Sequence, residues 1–374
     1  MAQKANKGEW GEPYVALKLI GDGRLYIADE QGNKNIHEWL NVIDVIRNET
    51  LERVVIYHLN KEEATVSIKL NDNEVAVFAV EEFVETAEKL KDEILCKTGI
   101  FSVSEDVASF IQKIGFTTLK AKSIDKCDIF ITASDPRTSI VRENIGFSIK
   151  TYFGKDPTLF NTAKASALIY KLSNMNDEKM EAINSIFDSK GNVSVSERCE
   201  RLLAYATNPV FTGFPFAQRA KCKAFEENLD LIDPRLEKVF HFVLWRHFFL
   251  KDKTRDIPEI INNVIAGNPL SLSRPEVKYP YMIKSFLYAA YCGMTASTLW
   301  DGSSQVKGGY ISVSAEGEVL ANYALESDSF KNYLYNNCYM EYPDTSEGHG
   351  FYGFVYKEND DYYFRLNFQI RIHR

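Results

Sequence analysis

Asp128 lies in Lys-Cys-Asp-Ile-Phe-Ile-Thr at 126–132, where it precedes a short apolar run. Lys150 closes a second run, Gly-Phe-Ser-Ile-Lys at 146–150. Between them Asp135-Pro136-Arg137-Thr138 has the chemistry of a turn, since proline presets its own φ and aspartate bonds locally to backbone. Two strands joined in this way form a hairpin, which can set the carboxylate of Asp128 beside the ammonium of Lys150. Metal-assisted hydrolysis of a phosphodiester needs such a pair: an acid to hold a divalent cation, and a lysine to orient or deprotonate the attacking water.

The arrangement is that of the PD-(D/E)xK nucleases, with one departure. The acid expected two residues before the lysine is Ser148, which takes the third catalytic position but is a poor metal ligand. A carboxylate must then come from elsewhere. Spacing by itself carries little specificity, because a strand-edge lysine also serves as a solvated gatekeeper.

The elements around this pair read as follows. Lys7 to Ile20 carries Trp10, Tyr14, Leu17 and Leu19-Ile20 at mostly helical spacing and is closed by Gly21-Asp22-Gly23. Glu9 and Glu12 lie three apart on one face of that helix, where acids also suit the positive end of the helix dipole. Residues 52–82 alternate in strand-like runs, Val54-Val55-Ile56-Tyr57 and Val75-Ala76-Val77-Phe78, and 81–114 reads as helical with an acidic face. After the hairpin at 119–153, an amphipathic helix is expected near Asn161–Leu172. Helix, strands and helix in this order predict a mixed α/β (α+β) fold, a mixed sheet flanked by helices, over 1–180.

The polar stretch Ser173–Asp188 marks the boundary of a second region at 181–374. It begins helical, with apolar helices expected at Leu236–Phe249 and Tyr281–Ala296, and becomes strand-rich after Gly308: Gly309–Val313, Phe351–Lys357 and Tyr362–Ile372. Glu358-Asn359-Asp360-Asp361 joins the last two as a hairpin. On the final strand Phe364, Leu366, Phe368 and Ile370 alternate with Arg365, Asn367, Gln369 and Arg371. Arginine, asparagine and glutamine are the side chains that pair bidentately with guanine and adenine edges in the major groove, so this face is a candidate for base or phosphate contact. The loop at 345–349, with His349, is a candidate phosphate contact.

At 374 residues with 45% hydrophobic content, the chain can build one large core or two moderate ones. No run approaches the ~18 apolar residues of a membrane span, and Met-Ala-Gln-Lys-Ala lacks a signal-peptide stretch, which predicts a soluble cytoplasmic protein without a membrane partner. The formal net charge of −8 argues mildly against nucleic acid, although only a cleft need be basic. Local cations count for more: Lys120, Lys122 and Lys126 precede Asp128, and Arg365, Arg371 and Arg374 recur at the end. Six cysteines with no CxxC pair form neither a zinc pattern nor a disulfide framework.

Blocks from one end of the chain to the other resemble the HpaII family of type II restriction endonucleases. They include Asn6-Lys7-Gly8-Glu9-Trp10-Gly11-Glu12, Leu119 to Ser123 with Asp125-Lys126 and Asp128-Ile129, Gly146 to Lys150, and Thr158-Leu159-Phe160-Asn161. Further on they include Gly293-Met294-Thr295, Trp300-Asp301-Gly302, Gly308 to Ile311, Asp344-Thr345-Ser346, His349, Tyr356-Lys357-Glu358 and Tyr362 to Arg371. The resemblance implies a PD-(D/E)xK core and Mg²⁺-dependent, site-specific cleavage of double-stranded DNA, at CCGG for the family's namesake. It makes Glu9 or Glu12 the replacement for the acid missing at Ser148. The implied metal ligands are Asp128, the backbone carbonyl of Ile149 and one of these glutamates, with Lys150 activating water and products ending in 5′ phosphate and 3′ hydroxyl. A homodimer is compatible with it, and a matching DNA methyltransferase is expected in the same cell. Two rivals are a catalytically inactive DNA-binding protein, which Ser148 would suit, and a nuclease specific for nucleic-acid structure.

Overall fold

The computed structural model describes residues 3–29, 32–50, 52–119, 127–154, 156–214, 223–303, 308–323, 327–342, 344–346 and 351–373. The chain opens with α1 (Lys7–Asp22), β1 (Arg24–Ala28), β2 (Lys34–Thr50), β3 (Arg53–Asn60), β4 (Thr65–Leu70), β5 (Asn73–Ala79), α2 (Val80–Cys96), α3 (Glu105–Lys113), β6 (Ile129–Asp135) and β7 (Ile140–Thr151). It continues through β8 (Thr158–Phe160), β9 (Leu168–Leu172), α4 (Asp177–Asn184), α5 (Val195–Ala204), β10 (Val210–Gly213), α6 (Ala224–Ile232), α7 (Leu236–Phe249), α8 (Ile257–Gly267) and α9 (Pro275–Tyr291). It closes with β11 (Gly309–Val313), β12 (Val319–Tyr323), α10 (Ser327–Asn337), β13 (Cys338–Glu341), β14 (Val355–Glu358), β15 (Asp361–Leu366) and β16 (Gln369–Ile372). The fold is mixed α/β.

Two compact units divide the chain, one of residues 1–157, 304–333 and 374, the other of 158–303 and 334–373. The polar stretch at 173–188 therefore lies inside the second unit, and β11 and β12 belong with the N-terminal unit, because they complete its sheet.

That sheet has nine strands in the order β1-β12-β11-β7-β6-β2-β3-β4-β5. The hairpin expected at 119–153 is present as β6 and β7, antiparallel with Ile129 opposite Phe147 and Ile131 opposite Ile145. On its other side β7 pairs in parallel with β11, Ile149 opposite Ile311 and Lys150 opposite Ser312. A parallel pair requires a crossover, and here residues 158–303 of the second unit intervene in sequence. The seventeen-residue β2, which the sequence reading did not find, is central: it pairs with β6, β3 and, near its start, β1.

The expected N-terminal helix is α1. The Asn6 side chain accepts the Glu9 N–H at 3.1 Å while the Glu9 carboxylate accepts the Asn6 N–H at 3.0 Å, a capping box that fixes where the helix starts. It stops at Gly23, whose φ of 58° suits glycine in a left-handed cap. Trp10, Tyr14, Leu17, Leu19 and Ile20 are all buried, each contributing roughly 1.5–3 kcal/mol. They join Val42, Val45, Phe83, Ile129 and Phe147 in one apolar core between the sheet and α1–α3.

In the second unit the sheets are β10-β9-β15-β14 and β13-β16-β8, and Phe160, Phe225, Phe240, Phe286 and Phe368 cluster ring to ring. Two expectations fail here. The helix expected at Asn161–Leu172 is instead a single 3-10 turn at Lys164–Ser166 followed by β9, whose Leu168, Ile169 and Tyr170 are buried in succession. A continuous apolar run buried on both faces shows no period that separates strand from helix. The single strand expected at Tyr362–Ile372 is two, β15 and β16, in different sheets.

Candidate active site

Asp128 stands one residue before β6, half-buried, and β7 holds it from two sides. Its backbone N–H donates to the Phe147 carbonyl at 2.9 Å. Its Oδ2 accepts the Ile149 N–H at 2.6 Å and the Ser148 hydroxyl at 3.2 Å. The approach is close because residue 146 is glycine. A Cβ there would meet Cys127 Sγ at 2.5 Å and Phe130 Cε1 at 2.9 Å.

Alternation along β7 sorts the motif by face. Phe147 lies in the core and Ile149 packs against it, so Ser148 and half-buried Lys150 project from the opposite face. At the far end of the hairpin the turn is held by Arg137, which donates to Asp135 through backbone and side chain and pairs with Glu38 at 2.6 Å. Those side-chain bonds keep the Asp135 carboxyl below the usual carboxylate range.

The model of the HpaII restriction endonuclease family matches residues 6–372. The chain belongs to the HpaII restriction endonuclease family. Over 371 residues it is 34% identical to the type II restriction enzyme HpaII of Haemophilus parainfluenzae, covering 98% of each chain. No solved structure matches it.

The structure separates the two glutamates that the family resemblance singles out. The Glu9 carboxylate closes the capping box. Glu12 is buried at 7% exposure, one carboxylate oxygen 3.9 Å from Arg47 Nη1. Beside it, Gly11 is where α1 crosses β7: a Cβ on Gly11 would lie 2.2 Å from Thr151 Cγ2. The crossing places Glu12 at the end of β7 that carries Lys150, on the face covered by helices. Asp128, one residue before β6, lies at this same end of the sheet.

Arg47 and Glu49, not picked out from the sequence, form a buried pair here, 1% and 0% exposed, with Nε 2.7 Å from Oε1. Burial pushes the Glu49 carboxyl up, but the Arg47 charge and bonds from Thr117 and Arg47 more than offset it and hold the group low. The available signal was period two: Val45, Arg47 and Glu49 share the buried face of β2, which is visible only once that strand is recognised.

The candidate DNA contacts fare unevenly. Lys120, Lys122, Lys126 and His349 lie outside the described residues. Asn367 is fully buried, its amide donating to the Ala163 carbonyl at 2.9 Å and its oxygen accepting from Ser166 and the Phe368 N–H. Gln369, 4% exposed, and Arg371 both bond to Glu341 of the neighbouring β13. Half-buried Arg365 stacks over the Tyr356 ring at 4.0 Å. The one polar face expected from alternation is not formed, because the chain leaves one sheet at Leu366 and enters another at Gln369.

Among the described residues no helix is long and apolar enough to cross a membrane, and no three His, Cys, Asp or Glu side chains cluster as a metal site.

Proposed function

We propose that this protein is a Mg²⁺-dependent type II restriction endonuclease with a PD-(D/E)xK active site, cutting double-stranded DNA at CCGG or a related short G·C-rich site. The supporting observation is the hold of β7 on Asp128, which sets the acid against the residues leading to Lys150 in a chain of the HpaII family.

The donors suit magnesium. Asp128, Glu12 and the Ile149 carbonyl offer hard oxygens, and two carboxylates with a carbonyl leave room for the several waters that Mg²⁺ retains. Glu12 takes the ligand role in preference to Glu9 because the Glu9 carboxylate is committed to the helix cap. When bound, the ion neutralises charge developing on the scissile phosphate. Lys150 orients or deprotonates the attacking water, and in-line attack leaves a 5′ phosphate and a 3′ hydroxyl. Ser148, whose hydroxyl donates to Asp128, stands where an acid is usual and orients that carboxylate. On a palindromic site two copies related by a two-fold axis would cut both strands, and a matching DNA methyltransferase would protect the host.

Incubating the full-length protein with plasmid in Mg²⁺ and in EDTA, then sequencing the ends, tests this reading. Discrete fragments with one shared end sequence support it. An unbroken plasmid that shifts in a gel indicates an inactive binder, and cutting without fixed sites indicates a structure-specific nuclease.

A further inference from the structure

Arg47 contacts three separate parts of the N-terminal unit from a fully buried position. On its own strand its Nε donates to Glu49 Oε1 at 2.7 Å. In the segment that follows α3, Nη2 donates to the carbonyls of Thr118 at 2.8 Å and Leu119 at 3.3 Å, and the guanidinium lies 4.1 Å from the centre of the Phe116 ring. Towards α1, Nη1 faces Glu12 Oε2 at 3.9 Å. Glu49 grips the same segment, accepting the N–H and hydroxyl of Thr117 at 2.8 and 2.6 Å and the Thr118 N–H at 3.1 Å. Leu119, the last of these residues, precedes Asp128 by nine positions in the sequence.

We infer that Arg47 is a positioning residue of the cleavage site, fixing the chain at 116–119 against β2 and setting its guanidinium beside the Glu12 carboxylate. The inference rests on the reading of Glu12 as a metal ligand.

The distances make the argument. Arg47 is hydrogen-bonded to Glu49 and to two carbonyls, but 3.9 Å to Glu12 exceeds a hydrogen bond. The guanidinium thus stands beside Glu12 as a charge whose place is fixed by its bonds to Glu49 and the two carbonyls rather than by Glu12 itself. Only a planar fork with five donors can bond Glu49 and two carbonyls while facing Glu12 from one position. A lysine placed there would keep the charge and lose the geometry.

The test compares wild type, Arg47→Lys, Glu12→Gln and the double variant in the full-length protein. Mg²⁺ affinity is read by titration calorimetry, the single-turnover cleavage rate as a function of Mg²⁺, and folding by thermal unfolding. The expected result is a folded Arg47→Lys whose Mg²⁺ affinity falls about 10–100-fold, with the double variant binding Mg²⁺ no more weakly than Glu12→Gln alone, since both changes act through one ligand. Should Arg47→Lys lower only the melting temperature and bind Mg²⁺ like wild type, while Glu12→Gln loses Mg²⁺, Arg47 is a structural clamp and the inference falls. Normal Mg²⁺ binding by Glu12→Gln overturns the ligand assignment, and this inference with it. If Arg47→Lys does not fold, Glu49→Gln, which loosens the same anchor, carries the test: weakened Mg²⁺ binding supports the inference and unchanged binding overturns it.

Discussion

Ile149 donates its backbone N–H to Asp128 Oδ2 at 2.6 Å, so the acid is aimed by the strand whose next residue is Lys150. This bond, with the one from the Asp128 N–H to the Phe147 carbonyl, fixes the carboxylate through backbone rather than through mobile side chains. A site built on paired strands holds its geometry more tightly than one carried on loops.

Asp128→Ala and Lys150→Ala are each expected to lower the single-turnover cleavage rate by at least ~10²-fold, the scale of a lost catalytic group. Specific DNA binding should remain measurable, because each change removes a single side chain assigned to cleavage. Wild-type cleavage by either variant would take that residue out of the site.

Glu9 and Glu12 are expected to part company. Glutamine also closes a capping box, so Glu9→Gln should retain both stability and cleavage. Glu12→Gln should abolish the response to Mg²⁺. Cleavage and melting temperature measured on both variants decide the matter, and a Glu9→Gln protein that folds but does not cut would reverse the assignment.

Much of this arrangement was legible in the sequence because local chemistry and tertiary structure agree. The capped helix at Lys7–Asp22 and the β6–β7 hairpin follow from caps, a proline turn and apolar runs. Other parts were hidden where burial overrides pattern. The first residues of β2, Lys34 to His37, show no two-residue period in burial, and its inward row holds an ion pair, which obscures the strand in sequence. In β9 three apolar residues in a row are buried, which hides the two-residue period that separates a strand from a helix. The tail from Tyr362 to Ile372 alternates without interruption in sequence, yet Asn367 turns inward to cap the chain at Ala163 and Ser166, which splits one expected strand into two. A side chain committed to backbone carbonyls looks identical, in sequence, to one available to a base.

Gly11 lets α1 pack close against Thr151 of β7. Gly11→Ala would place a methyl group 2.2 Å from Thr151 Cγ2, so α1 must shift. Overpacking of this kind costs about 1–3 kcal/mol, and the shift should displace Glu12 and slow cleavage. Thr151→Ser removes the clashing methyl, and the double variant should recover much of both losses. Equal cleavage by Gly11→Ala and wild type would show that the helix position is not coupled to the reaction.

Glu49 makes stability depend on acidity. Its carboxyl lies below 4.5 in the folded protein, since Arg47 and the Thr117 donors outweigh the effect of burial. The stability it contributes is therefore complete above the unfolded value of 4.5 and is lost as the pH falls through the lower folded value. Wild type should exceed Glu49→Gln in unfolding free energy at neutral pH, with the gap narrowing below 4.5. Denaturant unfolding at several pH values checks this, and a gap that widens in acid would refute it.

The C-terminal polar side chains give the last prediction. Asn367 and Gln369 are buried and hydrogen-bonded within the second unit, and Arg371 is paired with Glu341. A partner removed from such a network leaves a buried polar group unsatisfied, a loss of about 1–3 kcal/mol in folding. Asn367→Ala and Arg371→Ala should accordingly lower the melting temperature and weaken binding to cognate DNA and to single-base variants alike. Arg365 differs: stacked on Tyr356 at 4.0 Å and half-buried, it keeps a planar guanidinium in a fixed orientation. If that group meets a guanine, Arg365→Ala should lose about 1–3 kcal/mol for the cognate site and blunt discrimination at one base pair, with melting little changed. Affinities across the panel of single-base variants separate the two behaviours. A uniform loss for Arg365→Ala would assign it to backbone contact or to folding, and a base-specific loss for Asn367→Ala would mean that the chain rearranges on DNA to release a side chain now bound to Ala163.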